Sequence, residues 1–334
     1  MIRPLALSMG DPAGVGPELA AAAWALSGTA GLPPFFVVGS LRIIAAAAAR
    51  RGLDVPIVGI AAPDEALALF DTALPVLDIG DGAYSPGAPD DSGAALALES
   101  LTRATALTRS GAASALVTGP IAKSRLARVG FDYPGQTEFV AAACAVPAQD
   151  AVMMLAGPHL RVVPVTVHVA LADVPHLLTT GVIVRRATIA AAALTRDFGI
   201  AAPRLAVAGL NPHAGEDGRM GHEDAAIIAP AVAALKAAGI AATGPLPADT
   251  MFHAAAREAY DVAICMYHDQ ALIPIKVLDF DEGVNVTLGL PIIRTSPDHG
   301  TAFGIAGTGT ARPGATVAAL LMAGQCAARR AENA

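Results

Sequence analysis

Short, continuous apolar runs separated by alanine-rich stretches leave this chain few folds to adopt. The runs PLALSM, FFVVG, VPIVGI, PVLDIG, SALVTG, AVMMLAG, LRVVPVTV, RLAVAGL, VAICMY and GVNVTLG read as strands. Segments 17–27, 40–51, 92–110, 136–144, 173–179, 182–198, 222–238, 249–259 and 314–329 read as helices. A strand that is apolar along its whole length needs cover on both faces. Helices between strands give that cover in a largely parallel sheet, so the expected class is α/β. No repeat period, low-complexity linker or run of like charge marks a domain boundary, and 334 residues suffice for one or two domains.

Several function classes drop out on composition. A net charge of −7 leaves no basic excess for phosphate-backbone contacts, so nucleic acid is not an expected partner. The three cysteines, Cys144, Cys265 and Cys326, are widely spaced and form no CxxC pair. That argues against a disulfide framework and a cysteine zinc site and fits a reducing compartment. The longest uncharged stretch, Leu19 to Leu41, is long enough to span a bilayer, but Ser27, Gly28, Thr29, Gly31, Pro33 and Pro34 interrupt it. No membrane span and no signal peptide are expected, and the protein is expected to be cytoplasmic.

The polar residues gather where the apolar runs stop. GDPAGVGPE follows PLALSM, PIAKS follows SALVTG, NPHAGEDGRMGHED follows RLAVAGL, and HDQ follows VAICMY. In parallel α/β sheets the carboxyl ends of strands are where ligands bind. His168, His213 and His268 each stand at, or within three residues of, such an end. One histidine there is adequately read as a loop hydrogen bond. Three with the same placement favour a divalent metal with open coordination positions. GDPAGVGPE lacks the GK[ST] of a phosphate-binding P-loop, and no GxGxxG follows a strand, so a Rossmann dinucleotide site is not expected.

These segments carry a resemblance. GDPAGVGPE, TGPIAKSRL, GQTEFVA, VTVHVAL, NPHAGEDGRMGHED, GPLPADTMF, MYHDQALIPIK and GVNVTLGLPIIRTSPDHGTAFGIAGTG resemble, in order, the motifs of the 4-hydroxythreonine-4-phosphate dehydrogenase family, from about Gly10 to Gly309. The resemblance implies an isocitrate/isopropylmalate dehydrogenase-like fold, with two α/β/α domains around a central cleft. The domains are expected over 1–128 plus 288–334 on the cofactor side and 129–287 on the metal and substrate side. It also implies NAD (or NADP) use without GxGxxG, through His299, Gly300, Thr301 and Ala302 in DHGTAFGIAG.

Residue by residue, the resemblance makes His168, His213 and His268 ligands of zinc, magnesium or cobalt, and Gln136, Thr137, Lys276, Asn285 and Arg294 substrate contacts. The implied reaction is oxidation of 4-phosphooxy-L-threonine to a β-keto acid. That acid decarboxylates to 3-amino-2-oxopropyl phosphate, on the route to pyridoxal 5'-phosphate. Lys276 is the candidate proton donor or relay, with Asp249 the second candidate. Asp249 and Asp269 can equally orient ligand histidines or cap helices. A homodimer sharing its active site is also implied. Two features depart from the family pattern: Gln136 stands where histidine is usual, and Gly304 with Thr308 stand where the loop usually reads DIAGKG. The first keeps open a paralogue acting on another phosphorylated hydroxy acid, such as a threonate or erythronate 4-phosphate. A metal-dependent phosphoester hydrolase is the alternative from another class.

Overall fold

All four residues of the strand Leu5–Ser8 (β1) are buried, as an apolar run covered on both faces requires. In the computed structural model, which describes residues 3–332, β1 lies inside the first of two compact units, Met1–Ala148 with Leu290–Ala328. The other strands of that unit are β2 (Phe35–Gly39), β3 (Ile57–Ile60), β4 (Leu74–Asp78), β5 (Leu116–Thr118) and β12 (Arg294–Pro297). They run in the order β3-β4-β2-β1-β5-β12, and every pairing is parallel. Phe35, Phe36, Leu74 and Leu116 are fully buried in its core. The flanking helices start where sequence chemistry says they should. Ser40 caps Leu41–Arg50 by accepting from Ile43 N, and Asp90 caps Asp91–Arg109 by accepting from Gly93 N at 2.7 Å.

The second unit, Gln149–Gly289 with Arg329–Ala334, contains β6 (Val152–Ala156), β7 (Arg161–Pro164), β8 (Arg204–Ala208), β9 (Ala241–Leu246), β10 (Val262–Cys265) and β11 (Val284–Leu288). Their order is β11-β6-β7-β10-β8-β9. The strand β6 is antiparallel to both neighbours, and Gly157 N donating to Leu160 O closes the tight turn between it and β7. The pairs β7–β10, β10–β8 and β8–β9 are parallel. The fold is thus α/β with a mixed arrangement.

Three local expectations are corrected. The strands β9 and β12 had no apolar signature, since AATGPL and RTSP carry little of what marks a strand. The segment 249–259 contains only a short turn, Ala248–Thr250, and a four-residue helix, Ala254–Arg257. HDQALIPIK, which lies outside every expected helix, is part of an 11-residue helix, His268–Leu278, with Pro274 inside it. The segment 129–148, grouped by sequence with the second domain, falls in the first unit. There Phe131 packs against Tyr133 and Phe139, with ring centres 5.6 and 5.7 Å away. No single helix among the described residues is long and apolar enough to cross a membrane.

Candidate active site

Three neighbouring parallel strands, β7, β10 and β8, end side by side, and each runs into a histidine-bearing segment. Strand spacing is about 4.8 Å, so their carboxyl ends place His168, His268 and His213 on one edge of the second unit. Beyond β7 the chain stays tied to the end of β10. Val165 N donates to Cys265 O at 2.7 Å, and Thr166 Oγ1 donates to Met266 O at 2.8 Å. The backbone then turns at His168 into the left-handed region, with φ 56°. The rings of His168 and His268 stand 5.7 Å apart, centre to centre. Thr166, His168, Val169, Leu171, Val174, Tyr267, His268 and Asp269 line a cavity of about 250 Å³.

His268 is the first residue of the helix His268–Leu278. Its Nδ1 is 2.7 Å from Asp269 Oδ1. A carboxylate there holds the Nδ1–H tautomer and leaves the Nε2 lone pair available, the usual orienting partner of a metal-bound imidazole. Gln270, the third residue of HDQ, is buried. Its Oε1 accepts from Met266 N at 2.6 Å and its Nε2 donates to Gly209 O at 2.8 Å, joining the His268 turn to the start of the His213 loop.

That loop is held by Asp224, a buried carboxylate accepting from Leu210 N, Asn211 N and Asn211 Nδ2 at 2.8, 3.2 and 2.9 Å. Asp224 opens a single π-helical turn, Asp224–Ile228, a form that recurs at functional sites. His213 is exposed, and its φ of 52° opens a run of left-handed residues through Asp217. Two imidazoles sharing one ion at metal–nitrogen distances of about 2 Å put their ring centres roughly 5–6 Å apart, and the His168–His268 pair fits that. Among the described residues no three histidine, cysteine, aspartate or glutamate side chains converge as a complete ion cage. The donor chemistry fits a divalent ion. The structure joins two of the three histidines and places the third on the adjacent strand end.

In the first unit a second polar set surrounds Arg294, which opens β12 and is buried. Its Nη2 donates to Thr118 Oγ1 at 2.8 Å and to Gln136 Oε1 at 3.2 Å, and its Nη1 donates to Thr137 Oγ1 at 3.3 Å. Burial pushes its pKa down to about 10, against the opposing field of Glu138. Gln136 and Thr137 begin the helix Gln136–Ala143, and its N-cap residue, Gly135, has no capping side chain. First-turn N–H groups are therefore left to bind an anion. Lys123 lies alongside: a β-carbon built on Gly135 would meet Lys123 Nζ at 3.4 Å.

The remaining sequence candidates are placed as follows. Asn285 is on β11 of the second unit, and its Oδ1 is buried and meets no donor among the described residues. Lys276 is exposed, two turns along the helix from His268, roughly 12 Å along the axis. Reaching one oxygen together would need the lysine stem extended toward the helix N-terminus. Asp249 lies in the exposed turn after β9.

The loop His299–Ala302 follows β12. His299 Nδ1 is 3.0 Å from Gly300 O, and its Nε2 is buried with no partner among the described residues. That orphaned nitrogen fits a polar ligand such as the adenosine part of NAD. Gly300 has open space on its side-chain face. The N-terminal glycine loop lies directly beneath: Val15 N donates to Thr301 O at 3.0 Å, and a β-carbon on Gly14 would come within 2.8 Å of that oxygen. Glu18 is buried behind it and accepts from Gly307 N at 3.3 Å. GDPAGVGPE therefore supports the C-terminal loop. Sequence reasoning missed Thr118, Asp224 and Gln270. All three carried a signal: Thr118 stands at the end of the run SALVTG, and Asp224 and Gln270 are polar residues inside histidine-bearing segments.

Residues 32–323 match the family model described as pyridoxal phosphate biosynthetic protein PdxA. The chain belongs to this family. It is 62% identical over 330 residues to the 4-hydroxythreonine-4-phosphate dehydrogenase of Erythrobacter litoralis, covering 99% of this chain and 98% of that one. It is 57% identical to the enzyme of the same name from Methylorubrum populi, covering 99% and 96%. Among solved structures, the 4-hydroxythreonine-4-phosphate dehydrogenase of Klebsiella pneumoniae superposes with a TM-score of 0.88 at 38% identity, covering 98% of each chain. A terephthalate 1,2-cis-dihydrodiol dehydrogenase from Burkholderia xenovorans superposes with a TM-score of 0.66 at 29% identity, covering 97% of this chain and 98% of that one.

Proposed function

We propose that this enzyme performs the dehydrogenase reaction of its family, oxidation of 4-hydroxythreonine 4-phosphate in pyridoxal phosphate biosynthesis, with NAD+ as acceptor and a divalent metal on His168, His213 and His268. The observation that carries the metal assignment is the placement of the three histidines after three adjacent parallel strands. A bound divalent ion would supply Lewis acidity to the substrate hydroxyl, and NAD+ would accept the hydride. The chain's own residues do the rest. Asp269 fixes the His268 tautomer. Arg294 and Thr137, with Gln136 beside them, bind the phosphate or carboxylate, where a charged fork is strongest. Asn285 adds a further polar contact to the substrate. Lys276 moves the proton as the β-keto acid loses CO2, with Asp249 as the second candidate.

A homodimer with a shared site belongs to the same proposal. Ile273, Val277 and Phe280, on and just beyond the helix that carries His268 and Lys276, are 61%, 78% and 69% exposed. An apolar patch of that kind suits a protein partner, and a second copy seated on it would be placed to complete the ion's ligand set. A cytoplasmic location is proposed on the same footing as the reducing compartment inferred from cysteine spacing.

The test is NADH formation with a panel of phosphorylated hydroxy acids, run beside a free-phosphate assay. Reduction of NAD+ with 4-hydroxythreonine 4-phosphate in preference to threonate or erythronate 4-phosphate supports the proposal. Preference for another acid makes the chain a paralogue in activity, and phosphate release without NADH makes it a hydrolase.

A further inference from the structure

A buried arginine can attract an anion only if its own neighbours leave its charge intact. Carboxylate partners would satisfy the guanidinium but neutralise it, whereas neutral oxygens hold the fork and leave the charge for a ligand. Three neutral oxygens grip the Arg294 fork directly, the Thr118 and Thr137 hydroxyls and the Gln136 amide oxygen, while the Glu138 carboxylate acts on it through space. Thr118 is the most deeply placed, 1% exposed at the end of β5, and makes the shortest of these bonds at 2.8 Å. The Gln136 amide is anchored at both ends, since its Nε2 donates to Gly119 O at 2.9 Å while its Oε1 accepts from Arg294. Turning it over would set donor against donor and acceptor against acceptor. The Gly119 carbonyl that orients it belongs to the residue next to Thr118, so one short stretch at the end of β5 fixes both acceptors.

We infer that Thr118 and Gln136 are positioning residues that hold the Arg294 fork as an anion receptor, with Gln136 acting through the arginine and not as a phosphate donor. The inference rests on the reading of Arg294 as the group that binds the substrate's anionic end. It gives Thr118 a role in substrate affinity, and it gives the glutamine a reason to be a neutral acceptor.

The test measures the inhibition constant of inorganic phosphate against the phosphorylated substrate, together with KM for substrate, KM for NAD+ and kcat. Thr118→Val keeps the shape and removes the acceptor. It should raise the phosphate constant and the substrate KM in parallel, by about tenfold, the scale of one hydrogen bond to a charged group. kcat and the KM for NAD+ should change by no more than about twofold. Thr118→Ser, which keeps the hydroxyl, should restore both affected constants. Gln136→Met should repeat the Thr118→Val pattern, and it carries the test alone if Thr118→Val impairs folding. Arg294→Lys is the reference. If it weakens phosphate while Thr118→Val and Gln136→Met do not, the positioning inference is overturned and the receptor reading stands. If Arg294→Lys leaves phosphate binding unchanged, the receptor reading itself is overturned.

Discussion

The side-chain amide of Gln270 donates to the carbonyl of Gly209 at 2.8 Å, and its oxygen accepts from Met266 N at 2.6 Å. One buried residue thus joins the turn carrying His268 to the start of the loop carrying His213. Gln270→Leu would leave a buried N–H and a buried carbonyl unpaired, at a cost of roughly 1–3 kcal/mol each. The expected outcome is a lower melting temperature together with metal affinity reduced about 10–100-fold, as for other groups that orient ligands. Thermal melts and a metal titration on the same sample check it. Unchanged metal affinity would show that the two loops are set independently.

The contact between Gly14 and Thr301 separates support from binding at the cofactor loop. Gly14→Val would drive side-chain atoms into the Thr301 carbonyl, lowering stability and raising the KM for NAD+ together. Gly300→Val meets open space within the chain, so it should raise the KM for NAD+ several-fold with little change in melting temperature. Steady-state kinetics with NAD+ varied, beside melts of both variants, decides this. A Gly300→Val enzyme with normal KM for NAD+ would move the cofactor elsewhere.

The pH dependence of substrate binding follows from Arg294, whose burial lowers its pKa to about 10. The cation binds the anion, so affinity is retained below that value and lost as pH rises through it. A phosphate monoester becomes dianionic above about pH 6. KM for the substrate should therefore be lowest between about 6 and about 10. A step in KM near neutral pH would point to a titrating group at the anion site.

Much of this architecture was legible in the chain, for physical reasons that also mark where it stopped. Strands such as FFVVG announce burial on both faces because every residue is apolar, and the histidines stand out because they follow such runs directly. That β7, β10 and β8 are neighbours is a matter of topology, to which no local pattern contributes. The helix His268–Leu278 was hidden by Pro274, which offers no N–H to the carbonyl of Gln270, and by the polar HDQ at its start. RTSP could not be read as a strand because its polar side chains are satisfied by distant partners, as Arg294 is by Thr118.

Lys276 is exposed on the helix that begins with His268, so its replacement tests chemistry with little risk to the core. Lys276→Arg keeps the charge but replaces an amine that can exchange a proton with a guanidinium that cannot. Turnover should fall by roughly 100-fold or more, the scale of a lost acid–base group, with metal content and most substrate affinity retained. A metal-replete Lys276→Arg enzyme with near-normal kcat would reduce the lysine to an anion contact and leave proton transfer to Asp249 or water.

The central claim is that His168, His213 and His268, from three adjacent strand ends, hold one divalent ion on which the oxidation depends. Its most direct test is a metal titration of chelator-stripped protein, wild type beside the three single alanine variants, with NADH formation followed in the same samples. The account predicts one ion per wild-type chain, activity restored as the ion binds, and loss of both in each variant without loss of fold, since His213 and His168 are exposed. Full NAD+ reduction by the metal-free enzyme, or undiminished ion binding in His213→Ala, would contradict it.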